Sequence, residues 1–161
     1  MLMIAKLLRC VSATSPATIA PWLRIPIIAY LWAALAEDTV LFVLAWIAPD
    51  LWFRLLHASV PAGLEIALLR RSAGQWAAFA LAQAIALARW RRQPEWLAVA
   101  AGIRFSDLFT DLSYILAVPG LTRLGWVVLI PPPLLNLVGV AIMLQGYRQA
   151  ASRTVAESVR A

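Results

Sequence analysis

The stretch Trp96–Ala117, WLAVAAGIRFSDLFTDLSYILA, is long enough to cross a bilayer as a helix, yet it carries Arg104, Asp107 and Asp111 in its middle. At about 100° per residue these three side chains fall within a sector of roughly 60°, and Thr110 and Tyr114 extend it on one side. Phe105, Leu108, Phe109, Leu112 and Leu116 occupy the rest of the wheel. Such a helix can sit in lipid only if its charged stripe faces other helices or a water-filled cavity. The stretch therefore predicts neighbours, and the rest of the chain must supply them.

Composition agrees. Hydrophobic residues make up 63% of the 161 positions and charged residues only 14%, and mean hydropathy is +0.80. A soluble domain of this size needs a wettable outside and has no use for so much apolar surface, whereas an integral membrane protein does. Eight tryptophans point the same way, because Trp collects at membrane–water interfaces. The net charge of +6 is better read as Arg in short loops, which orient a membrane chain and meet anionic lipid, than as a nucleic-acid surface. No basic run is interleaved with aromatics in a soluble setting, so nucleic acid is not expected as a partner. The single cysteine, Cys10, excludes an intrachain disulfide and a thiolate metal cluster.

Four spans are predicted, at about 26–47, 72–90, 96–117 and 126–145, within a transmembrane domain of residues 26–147. Residues 1–25 read as a cytoplasmic lead-in with a short interfacial helix, and 148–161 as a fraying cytoplasmic tail. Pro26 suits the first turn of the first span. The second span is rich in Ala and includes Gly74, which lets helix backbones approach closely and offers a face for a homo- or hetero-oligomer. Pro131-Pro132-Pro133 interrupts the fourth span. Either its helix starts near Pro132 after an irregular segment, or it contains a sharp break. The N-terminus, the 89–95 loop and the tail carry nine basic residues, against four in the other loops. Both termini should therefore be cytoplasmic and the protein multi-pass in the inner membrane. The fold class expected is an all-α, integral membrane, four-helix up-and-down bundle.

Depth counting brings Glu37, Asp38, Gln83, Arg104, Asp107 and Asn136 to within about one helical turn of a common plane. Asp111 and Tyr114 lie on the same face of the third span. Each ionised group at mid-bilayer costs about 2.5–3.5 kcal/mol or more, so these residues need mutual compensation. Four carboxyls against one guanidinium leave it incomplete, so some acids hold a proton or a cation enters. Arg104 is expected to pair with Asp107 and with either Glu37 or Asp38. A purely structural role, as polar glue between helices, fits the same residues.

Little else suggests chemistry. His57 is the only histidine, which excludes a bis-His haem and a zinc triad within one chain, and it reads as an interfacial residue. Ser106 and Ser113 face away from the charges with no base at hand. No Gly-rich phosphate loop is present, and no cofactor or metal is implied. Arg89, Arg91 and Arg92 read as topology anchors.

The run LLRRSAGQWAAFALAQAIALARWRRQPEWLAVAAGIRFSDLFTDLSY, from Leu68 to Tyr114, resembles the middle of DoxX-like small four-helix bacterial membrane proteins. The shared features are an Arg before a small-residue span, a Gly near that span's start, and an Arg-rich short loop into the third span. The resemblance implies a four-helix bundle of mostly unassigned function, in some cases linked to quinone or redox-stress systems. No site residue carries over from it. The expected function is a binding or transport-type module, with lipid around it and a proton, cation or small polar ligand at the cluster. The alternatives are an accessory subunit docking through the Ala-rich span, or a membrane enzyme acting on a lipid or quinone.

Overall fold

The computed structural model describes residues 19–118 and 120–160, with side chains through Ser152. Among these residues every regular element is helical: α1 Pro21–Ile47, α2 Pro49–Leu56, α3 Gly63–Arg89, α4 Glu95–Ala117, α5 Arg123–Leu129 and α6 Pro132–Arg160. The short interfacial helix expected near the N-terminus lies outside the described residues, as does Pro119.

Long helices that follow one another in the chain pair most closely. α1 packs along α3 and α4 along α6, while thinner seams join α1 to α6 and α3 to α4. The short helices α2 and α5 contact one another at one end of this arrangement. Two helical stretches are long and apolar enough to cross a membrane by length and composition, Pro21–Ile47 and Arg123–Ser152. The outward surface carries large apolar side chains on every long helix, among them Trp32, Val40, Leu81, Phe105, Phe109 and Leu135.

Several boundaries differ from the sequence expectation for local reasons. Pro21 fills the first-turn role, so α1 begins five residues early and Pro26 lies inside it, costing the backbone bond that Trp22 would have accepted. α3 begins at Gly63, where the Ala62 amide donates to Glu65 Oε2 at 2.6 Å and so supports the first turn. Arg70 and Arg71 therefore sit on the helix and not in a loop. The segment before the prolines is not irregular. α5 is capped by Thr122, whose hydroxyl accepts from the Gly125 amide at 2.9 Å, and the helix restarts at Pro132. Beyond Tyr147 the chain stays helical to Arg160 and does not fray. Gln149 contributes there by accepting from the Ala20 amide at 3.1 Å.

The interior is layered along the bundle axis. One apolar cluster draws on all four long helices: Leu23, Ile27 and Leu31, Ala86, Leu97 and Ala101, Met143 and Ala150, together with Trp90. Trp90, at the end of α3 where the interfacial preference of tryptophan would place it at the membrane surface, is fully buried in this cluster. A second cluster, at the other end, joins Ala45 of α1, Trp52 and Leu56 of α2, and Leu69 and Ala73 of α3. Between the two lies a layer that is not apolar.

Candidate functional site

The period of α1 explains how that layer acquires its first acid. Leu23, Ile27, Leu31, Ala34, Asp38 and Ala45 are the buried positions of the helix, spaced by three, four or seven residues. Asp38 therefore points inward on a face otherwise apolar. Glu37, turned about 100° away, is half-buried and has no hydrogen-bond or ion-pair partner among the described residues. On α4 the same argument turns Arg104 and Asp107 inward, with Leu97, Ala100 and Ala101 below them.

Arg104 joins the helices. Its Nη2 is ion-paired with Asp38 Oδ2 of α1, and its Nη1 donates to Asp107 Oδ2 at 3.0 Å. Nη1 also lies 3.4 Å from Asn136 Oδ1 on α6. The Phe79 ring of α3 covers the guanidinium at 5.9 Å. Gln83, also on α3, donates from Nε2 to Asp38 Oδ2 at 2.6 Å. One arginine is thus held by side chains of every long helix, directly or through Asp38.

Asn136 extends the network. Its Nδ2 donates to Asp111 Oδ2 at 3.0 Å and approaches Asp107 Oδ2 at 3.5 Å, while Tyr30 of α1 donates to its Oδ1 at 3.3 Å. The Tyr30 ring fits where it does because Gly139, one turn beyond Asn136, has no Cβ; a methyl there would overlap the phenol. The Thr110 hydroxyl donates to the Asp107 carbonyl at 2.8 Å and lies 3.2 Å from Asp107 Oδ1.

Of the residues singled out from sequence, Asp38, Gln83, Arg104, Asp107 and Asn136 come together out of solvent contact, none more than 6% exposed. Asp111 joins through Asn136. Glu37 stays at the edge, and Tyr114 is hydrogen-bonded elsewhere, to His57 Nε2. Sequence reasoning did not find Tyr30. The signals available for it were its position two turns before Asp38 on α1 and the glycine one turn after Asn136.

Burial this complete makes every unmet polar atom costly. Asp38 Oδ1, Gln83 Oε1 and Arg104 Nε have no partner. A buried group left unsatisfied costs about 1–3 kcal/mol, so three of them rival a large share of a domain's stability. Two of the three are acceptors on side chains already joined to each other through Gln83 Nε2 and Asp38 Oδ2. Charge leads to the same place: Asp38, Asp107 and Asp111 lie in the network with Glu37 at its edge, and Arg104 is the only cation there among the described residues. No three His, Cys, Asp or Glu side chains among the described residues are grouped to hold a metal ion. No protein-family model matches the chain, and no curated protein and no solved structure matches it significantly.

Proposed function

We propose that the protein is a multi-pass membrane module whose buried polar layer binds a proton, as transport-type modules do. The observation that carries this reading is the pair of bare acceptors, Asp38 Oδ1 and Gln83 Oε1, in a layer with more carboxyls than cations. A proton on Asp38 Oδ1 would turn one acceptor into a donor for the other and lower the excess negative charge in the same step.

The membrane setting has its own support. α1 and α3 have 27 residues each and α4 has 23, lengths of roughly 35–40 Å at 1.5 Å per residue and enough for a hydrocarbon core. Large apolar side chains lie on their outward faces while the charges in the middle of α1 and α4, Asp38, Arg104 and Asp107, turn inward, the reverse of a soluble bundle. On this reading all four long helices cross, with the 89–95 loop and both termini on the cytoplasmic side of an inner membrane. The DoxX-like resemblance points to the same arrangement and adds no ligand.

Infrared difference spectroscopy of the protein in lipid nanodiscs tests the proton. A protonated-carboxyl C=O band is expected, titrating with pH and lost in Asp38→Asn. If neither the wild type nor Asp111→Asn shows such a band at any pH at which the protein is folded, the layer is structural glue and the reading fails.

One observation favours a second role beside the first. A groove of about 390 Å³ between α1 and α3 is lined by Trp32, Leu35, Ala84, Leu87, Ala88 and Arg91. Small residues at such a site suit a helix from another subunit. Cross-linking from Ala88→Cys in native membranes, followed by sizing, would reveal that subunit or show the monomer alone.

A further inference from the structure

The two apolar clusters do not seal the polar layer equally. The cluster toward the 89–95 loop takes buried residues from α1, α3, α4 and α6. The buried residues of the opposite cluster come only from α1, α2 and α3. On that side the α4 half of the bundle carries polar groups where the apolar plug is missing.

These groups form a line. Asp111 is joined to the layer through Asn136. Tyr114 follows on the same helix face, three residues later and about 4.5 Å further along the axis by backbone rise. Its hydroxyl is hydrogen-bonded to His57 Nε2, and the two rings meet edge to face at 5.7 Å and 84°. His57 Nδ1 lies 3.4 Å from the Gly120 carbonyl oxygen. A carbonyl only accepts, so the tautomer that satisfies both contacts has the ring hydrogen on Nδ1 and leaves Nε2 as the acceptor for the phenol. His57 itself is only half-buried and sits in the turn after α2.

Resting on the reading of the layer as a proton site, we propose that Asp111, Tyr114 and His57 are its proton port, opening on the side of the 57–62 loop. Outward transfer starts once the proton held by the layer's carboxyls stands on Asp111, and moves it from there to the Tyr114 oxygen by way of water. Tyr114 passes its own hydrogen to His57 Nε2, and the Nδ1 hydrogen leaves to bulk water. Tyr114 and His57 end with the protons they began with, the imidazole having changed tautomer, and one proton has moved from Asp111 to solvent. Inward transfer is the reverse. The charged groups around this line are Arg104 and Asp107 on α4, Glu37 and Asp38 on α1, Asp50 and Arg54 on α2, Arg123 on α5, and Glu65, Arg70 and Arg71 at the same end of α3; Gln83 of α3 and Asn136 of α6 are the neutral members of the layer.

Hydrogen–deuterium exchange of the protonated-carboxyl infrared band, followed in time in nanodiscs, tests the port. Tyr114→Phe and His57→Gln are expected to keep the band and slow its exchange by about tenfold or more. The double variant should be no slower than the slower single one, since both act on one route. Leu116→Ala, at an exposed site on the same helix, should exchange like the wild type. Wild-type rates in Tyr114→Phe and His57→Gln overturn the port while leaving the proton site standing. Absence of the band from the wild type removes both.

Discussion

Arg104 on α4 and Asp38 on α1 form an ion pair across the seam between the two helix pairs, with both side chains almost fully buried. Removing either partner leaves the other charge stranded in an apolar interior, a loss of about 3–5 kcal/mol for buried pairs. Arg104→Ala and Asp38→Ala should each lower the thermal unfolding temperature in detergent markedly. The double variant should lose less than the two single losses combined. Strict additivity would mean that the two side chains do not interact.

Glycines in the bundle differ in what they permit. At Gly139 a Cβ would strike the Tyr30 phenol, whereas at Gly102 and Gly74 it would meet nothing within 4 Å. Gly139→Ala is therefore expected to cost about 1–3 kcal/mol and to dislodge Tyr30 from Asn136. Gly102→Ala, in the middle of α4, should be neutral or gain about 0.5–1 kcal/mol from helix propensity. Denaturant titration of both variants checks the contrast, and equal effects would refute the packing at Gly139.

Thr122 holds the α2 end to the start of α5. Its hydroxyl donates to the Leu55 carbonyl at 2.6 Å and accepts from the Gly125 amide, while its own amide donates to the Leu56 carbonyl at 2.9 Å. Thr122→Val keeps the shape and loses both hydroxyl bonds, at a cost of about 1 kcal/mol for the cap. Faster amide exchange at Gly125, with the α1–α3 pair unaffected, is the expected outcome. No change at Gly125 would argue that the cap is not formed.

The proposed four-span arrangement requires the 57–62 loop and the 89–95 loop to lie on opposite sides of the membrane. In a Cys10→Ser background, Ser59→Cys and Glu95→Cys should react with an impermeant thiol reagent in vesicles of opposite orientation. Glu95→Cys is expected to react from the cytoplasmic face. Labelling of both positions from one face would eliminate a crossing by α3.

Much of the polar layer was legible because charge is expensive in an apolar stretch and helices have a fixed period. Arg104, Asp107 and Asp111 had to share a face, and counting along the spans brought Gln83 and Asn136 to the same level. The choice between Glu37 and Asp38 was also within reach, since the apolar spacing from Leu23 to Ala45 selects Asp38. What could not be read was anything set by packing between helices. Tyr114 shares the face of Asp111 yet its hydroxyl meets His57, because the turn after α2 comes down beside the end of α4. Trp90 follows the rule for interfacial tryptophans in sequence, but the tight α1–α3 pairing encloses it. The start of α3 at Gly63 lies nine residues before the Ala-rich stretch that marks the second span at 72–90, because the charges of Glu65, Arg70 and Arg71 break the apolar signal there.

Pairing of consecutive long helices has a bearing on how the chain is made. Asp38 leaves the ribosome 66 residues ahead of Arg104. During that interval the cation of the acid has not been synthesised, and of the side chains that donate to Asp38 among the described residues Gln83 alone precedes Arg104 in the chain. The amide thus serves as a temporary host during assembly, until the arrival of α4 converts a provisional contact into the completed seam.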